Sequence, residues 1–282
     1  RLLNKLCYEL DFERPYIMTS PLQGMLHGCY VFEFEGQQVF QMFQNAKGTA
    51  YSEFGVPSAA NVENLRKIIP EDELFPIEKS KSWVYHHGFK AWSEERWLCM
   101  DVFRKYFGEP SCLEDVVEGT QWMQCEGYKA IFEEARRQWP YCSMAVNWCY
   151  NEPWLSAANN CLLTYPSEKK PAYYSVRDSL RNSIPTARVP KFDWKAGENF
   201  NFELWYLNDA PETVSDTVRA TLTIGDQVIE LANWETGEVA ACANKQGAKV
   251  VRELPWVDAK DMTLTLESAN GNTNAYRLMY KK

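Results

Sequence analysis

The sequence predicts an α/β unit followed by an all-β unit, and three observations carry the prediction. Short apolar runs recur through the first part of the chain, as buried parallel strands do. The stretch Thr120 to Trp139 repeats apolar residues every three or four positions. From about Ile184 the texture changes to alternation of period two. The division therefore falls at residues 1–183 and 184–282, with Pro185 and Pro190 suiting a short linker.

Four runs in the first unit are strand candidates: Tyr16-Ile17-Met18-Thr19-Ser20, Gly28-Cys29-Tyr30-Val31-Phe32, Thr49-Ala50-Tyr51-Ser52-Glu53 and Met144-Ala145-Val146-Asn147-Trp148. Between the third and fourth lies a long insertion, about residues 57–119, rich in Trp, His and charge. Loops of this length are functional or carry helices of their own. Trp97, Met100, Phe103 and Phe107 give helical spacing across Ser93 to Phe107, with Gly108 as the stop. In the next helix Tyr128, Ile131, Phe132, Ala135 and Trp139 recur at helical spacing, Thr120 can cap the start, and Pro140 ends it. That helix feeds directly into the Met144 strand, the order a βα unit requires.

In the second unit Phe200-Phe202-Leu204-Tyr206, Val218-Ala220-Leu222-Ile224, Met262-Leu264-Leu266 and Tyr276-Leu278-Tyr280 alternate with polar partners. Gly225-Asp226 and Asn270-Gly271-Asn272 mark tight turns. Strands of this kind, in about a hundred residues, build a β-sandwich of immunoglobulin-like size. Trp205, Trp234 and Trp256 could serve as sugar platforms, but Trp in such units is more often core or interface.

The chemistry centres on Glu53. Tyr51-Ser52-Glu53-Phe54-Gly55 sets one carboxylate between an apolar run and a glycine that lets the backbone turn. A carboxylate at the C-terminal end of a buried parallel strand points into the mouth of an α/β barrel, where barrel enzymes keep their chemistry. Other segments can be read relative to it. Leu10-Asp11-Phe12-Glu13-Arg14-Pro15-Tyr16, with Ser20-Pro21 behind it, lies upstream; Trp148-Cys149-Tyr150-Asn151-Glu152-Pro153-Trp154 and Lys170-Pro171-Ala172-Tyr173-Tyr174 lie downstream.

In this order the segments resemble the C-terminal half of glycoside hydrolase family 2, especially its β-mannosidase-like and β-galactosidase-like branch. Phe12-Glu13 replaces the family's Pro-Thr, and Glu152 replaces its commoner Asp. The resemblance implies the last four strands of a (β/α)8 barrel, a TIM barrel, followed by an immunoglobulin-like β-sandwich. It implies a retaining exo-β-glycosidase acting on β-mannosides, β-galactosides or β-glucosaminides, with Glu53 as the nucleophile that forms a covalent glycosyl-enzyme. A retaining enzyme needs a second, protonated carboxyl about 5 to 5.5 Å away. In the family that acid/base precedes the arginine-proline segment, so it is expected in an N-terminal remainder of the same polypeptide. Asn151-Glu152-Pro153 looks like a substitute, yet it follows the nucleophile and fits the eighth strand, which leaves Glu152 a substrate contact or part of the barrel rim. Trp148 and Asn151 are expected to line the sugar pocket. His27 and Tyr30 fall where the family has a His and an aromatic near the pocket, a pocket or a core role being equally compatible for His27. His87, beside His86, could bind sugar hydroxyls.

No metal site and no cofactor is expected. Adjacent histidines in an extended segment point in opposite directions, and no recognised ligand spacing surrounds them. A net charge of −8 without a basic run argues against nucleic acid and anionic membranes as partners, and no apolar stretch is long enough to insert in a bilayer. The nine scattered cysteines read as free thiols rather than a disulfide scaffold. The compartment is open: many family relatives are periplasmic or secreted, and a cytoplasmic location is equally compatible. The competing class is a non-catalytic carbohydrate-binding or interaction fragment.

Overall fold

The computed structural model describes residues 2–89 and 97–282. Its first unit is organised by a three-stranded parallel sheet in the spatial order Met25–Tyr30, Ala50–Gly55, Ala145–Asn147. Parallel neighbours need long crossovers. The helix Val39–Asn45 supplies the first, and the excursion ending in the helix Leu113–Arg137 supplies the second.

The core of this unit lies between sheet and helices. Phe43 on the short helix packs its ring 5.2 Å from Tyr51 and 6.0 Å from Phe54, and Phe54 lies 5.1 Å from Phe132 on the long helix. The register is irregular between Tyr51 and Phe54. Both rings thereby stay fully buried while Ser52 and Glu53 between them remain half-buried, as a local bulge allows.

Three of the four expected strands form. Tyr16 to Ser20 does not: among the described residues no strand pairs with it, and Ile17 and Met18 remain 47% and 74% exposed. The long helix starts earlier than Thr120: Asp115 accepts from the amides of Ser111 and Cys112 at 2.7 and 3.3 Å, and Leu113, Val116 and Val117 are already buried. Thr120 caps nothing; its hydroxyl donates back to the Val116 carbonyl at 2.7 Å inside the helix. In the insertion, helices form at Val62–Ile68, Glu71–Leu74, Lys81–Tyr85 and Met100–Phe107. The expected start of the last of these, Ser93 to Arg96, lies outside the described residues.

The second set of strands begins at Ser183–Arg188. It pairs with Asn199–Asn208, which pairs with Ala243–Glu253, giving a three-stranded antiparallel sheet. A five-stranded sheet runs in the order Asp193–Lys195, Thr273–Lys281, Asp261–Ser268, Val214–Ile224, Gln227–Val239. The alternating residues named from sequence are all buried, from Phe200 and Phe202 to Leu278 and Tyr280, and belong to one core. Ile224 pairs with Gln227 across the two-residue turn Gly225-Asp226, where Gly225 takes φ +54°.

A polar seam joins the long helix to the strand Thr273–Lys281. Trp122 donates to the Arg277 carbonyl at 2.7 Å, the Arg277 amide to Glu126 at 3.0 Å, Lys129 to Asn274 at 2.9 Å, and the Tyr276 hydroxyl to Glu133 at 2.8 Å. Elsewhere in the first unit apolar surface is open. The helix Leu2–Leu10 buries none of its residues, and Val146 on the outer strand is 47% exposed. Among the described residues, no helix is long and apolar enough to cross a membrane.

Candidate active site

Glu53 sits near the C-terminal end of the central parallel strand, directly opposite His27 in register. His27 Nε2 lies 3.1 Å from Glu53 Oε2, with the two side chains 32% and 26% exposed. The Tyr30 hydroxyl is also hydrogen-bonded to Glu53. Burial, then this bond to a carboxylate, raises the phenol well above its ordinary range and keeps it a neutral donor. Tyr30 in turn meets Trp148 edge to face at 5.4 Å. Trp148 follows the third parallel strand, held there by its amide donating to the Phe54 carbonyl at 2.7 Å. One accessible carboxylate thus stands among an imidazole, a phenol and an indole at one end of a parallel sheet.

Three further residues adjoin this group. Ser20 donates to Ser52 Oγ at 2.6 Å and lies 3.5 Å from His27 Nδ1, and Ser52 donates to the Leu26 carbonyl at 3.0 Å. The Ser20-Pro21 and Ser52-Glu53 segments therefore meet in space. Trp97, buried within the insertion, stands 6.0 Å from Trp148. It lies in a turn just before the helix Met100–Phe107 rather than inside a helix, and it is buried in the core.

The remaining candidates are placed differently. Asn151 is exposed beyond Trp148, in an isolated bridge to Leu163. His87 is exposed and turned against Trp154, ring centroids 5.7 Å apart, and none of its contacts ties it to Glu53. The substrate-contact reading of Glu152 is corrected, and the structural alternative is left: at 1% exposure it offers no surface to a sugar. Burial pushes its carboxyl up, opposed by the nearby Lys170 ammonium and by Ser156. Lys170 is itself fully buried, donates to Ser58 Oγ at 3.1 Å and the Asn159 carbonyl at 3.2 Å, and is held down by burial. The role of Gly55 also differs from expectation. It takes no positive φ; a Cβ there would stand 2.5 Å from Asn160 Cγ, so the glycine serves close approach rather than a turn.

Solved structures with this fold exist. The chain superposes on the β-D-mannosidase of Dictyoglomus thermophilum with a TM-score of 0.71 over 99% of its length, at 19% identity. It superposes on the exo-chitosanase CsxA of Amycolatopsis orientalis with a TM-score of 0.66 over 91% of its length, at 18% identity. It spans only 34% and 30% of those two chains. No protein-family model matches the sequence, and no curated protein sequence does. The likeness is one of fold: this chain is built like the part of these glycosidases that it covers.

Proposed function

We propose that the chain is the C-terminal part of a family 2 retaining exo-β-glycosidase, comprising half of a (β/α)8 barrel and an immunoglobulin-like β-sandwich, with Glu53 as nucleophile. The observation that carries the reading is the setting of Glu53. It is an accessible carboxylate near the C-terminal end of a parallel strand, hydrogen-bonded by Tyr30, paired with His27 and flanked by Trp148. Hydrogen bonds from a neutral phenol and a neighbouring imidazole orient a carboxylate for attack. The ring of Trp148 suits the apolar C–H face of a pyranose. Substrates of the class β-mannoside, β-galactoside or β-glucosaminide would be cleaved by double displacement through a glycosyl ester of Glu53.

The acid/base is assigned to an N-terminal remainder of the polypeptide, because Glu152, the one carboxyl whose local sequence suggests that role, is buried. The same remainder would cover the open face. The three-stranded sheet leaves an unpaired edge on Met25–Tyr30 and on Ala145–Asn147, and Leu2, Leu3 and Leu10 are 70%, 62% and 83% exposed. Parallel sheets are ordinarily covered on both faces, and apolar exposure on this scale marks a surface built to be covered.

Aryl β-mannoside, β-galactoside and β-glucosaminide assayed with the full polypeptide test the reading. Turnover of at least one, abolished in Glu53→Gln, is expected, together with a 2-deoxy-2-fluoroglycosyl adduct on the peptide that carries Glu53. Binding of these sugars without turnover would overturn it in favour of a non-catalytic carbohydrate-binding protein.

A further inference from the structure

Beside the candidate site stand two cysteines that none of the roles above uses. The Leu163 amide donates to the Tyr150 carbonyl at 3.0 Å and the Glu152 amide to the Leu163 carbonyl at 3.1 Å, so Asn151 and Leu163 pair in parallel register. The Leu162 amide reaches the same Tyr150 carbonyl at 3.0 Å. Two positions back along both segments, this register sets Cys149 opposite Cys161. Paired strands run about 4.8 Å apart, and a disulfide bridges Cα separations of roughly 4.4–6.8 Å. Both thiols are free, Cys149 half-buried and Cys161 1% exposed.

We propose that Cys149 and Cys161 are a dithiol couple, a modification site that hydroperoxides convert to a disulfide at the flank of the Glu53 pocket. The two sulfurs have unequal parts. The Cys161 thiol donates its hydrogen to Cys149, which favours the thiolate on Cys149 and raises Cys161; burial and the Glu53 carboxylate work against the charge on Cys149. Cys149, the more accessible, attacks a peroxide oxygen and becomes a sulfenic acid as the O–O bond breaks and hydroxide leaves, to take up a proton as water. Cys161 then gives up its proton and attacks the Cys149 sulfur; the S–S bond forms, the S–O bond breaks and a second water leaves. Two thiols lose two electrons and two protons, and one hydrogen peroxide is reduced to two waters, or one organic hydroperoxide to an alcohol and one water.

Cys149 is bonded to Trp148 in the chain, and its charge would be felt by Glu53 and Tyr30. The S–S bond ties the Trp148 segment to the buried Cys161 segment and withdraws the thiol from the pocket. Its effect on turnover rests on the glycosidase reading; the thiol chemistry does not.

The full polypeptide, exposed to a few equivalents of hydrogen peroxide, denatured, alkylated and digested without reductant, is read by mass spectrometry. The expected product is a cross-linked peptide pair carrying Cys149 and Cys161, lighter by two hydrogens and lost on dithiothreitol treatment. In Cys161→Ala, dimedone should label Cys149 at the same peroxide dose. Both cysteines recovered fully alkylated, at a dose that oxidises the exposed Cys242, would overturn the proposal whatever the protein hydrolyses.

Discussion

Replacing Glu126 by Gln should flatten the pH dependence of stability. Glu126 is 6% exposed on the long helix, where Oε1 accepts from the Arg277 amide of the facing strand at 3.0 Å. Burial, and secondarily Glu133, raise its carboxyl to about 7 against the pull of Lys129 and Arg277. A carboxyl raised in the folded state contributes stability that is complete below its unfolded value, near 4.5, and lost as pH climbs through about 7. A shift of between two and three pKa units corresponds to about 3 kcal/mol, of which about 2 kcal/mol falls between pH 5 and pH 8. A glutamine stays neutral and still presents an oxygen to the Arg277 amide. Urea unfolding followed by tryptophan fluorescence at both pH values gives the comparison, since every other titrating group is shared and cancels. The unmodified chain should lose about 2 kcal/mol more than the variant between pH 5 and pH 8. Parallel profiles, agreeing to within about 0.5 kcal/mol, would refute the burial argument.

Two substitutions probe the site more directly. Gly55→Ala drives a Cβ into Asn160, and overpacking of this kind costs about 1 to 3 kcal/mol, read as a lower unfolding midpoint. Trimming the opposing side chain in Gly55→Ala with Asn160→Ala should recover part of that loss, and strict additivity would show that the close approach is not the cause. Tyr30→Phe removes a hydrogen bond to a carboxylate, worth about 1.5 to 3 kcal/mol, so kcat/KM on the responsive aryl glycoside of the full polypeptide should drop about 10- to 100-fold. A change below about twofold would show that Tyr30 does not support Glu53 in the reaction.

The second unit was the most legible in sequence, for a simple physical reason. Each of its central strands has one buried and one wet face, so Val218, Ala220, Leu222 and Ile224 declare their side by alternation alone. The first unit has strands wrapped by other elements, and composition there reports burial without saying who supplies it. The apolar run at Tyr16 to Ser20 therefore looks like the Thr49 to Glu53 run, but only the latter has neighbours on both sides. The start of the long helix was obscured because Thr120 offers a plausible cap, while the actual one comes from Asp115 turning back onto the amides that precede it. Ser20 comes near Glu53 by long-range folding, through its bond to Ser52, and no local pattern marks it.

The segments that carry the resemblance divide, in space, into two kinds. Ser20, Ser52, Glu53 and Trp148 converge on one cluster, whereas Glu152 and Lys170 are buried. An isolated buried ammonium is costly, and it is tolerated where a carboxylate of opposite charge and hydrogen-bond acceptors share its surroundings. Lys170 has both, in Glu152 and in the Ser58 and Asn159 oxygens, and Pro171 next to it opens the helix Pro171–Ser179. The carboxyl after Asn151 thus lies buried in the field of an ammonium rather than at an accessible surface. A sequence in which Asp replaces Glu152 would keep the charge and shorten the reach by one methylene. Local sequence around Asn-Glu-Pro cannot separate that structural role from catalysis, because the deciding partner, Lys170, arrives from a later turn of the chain.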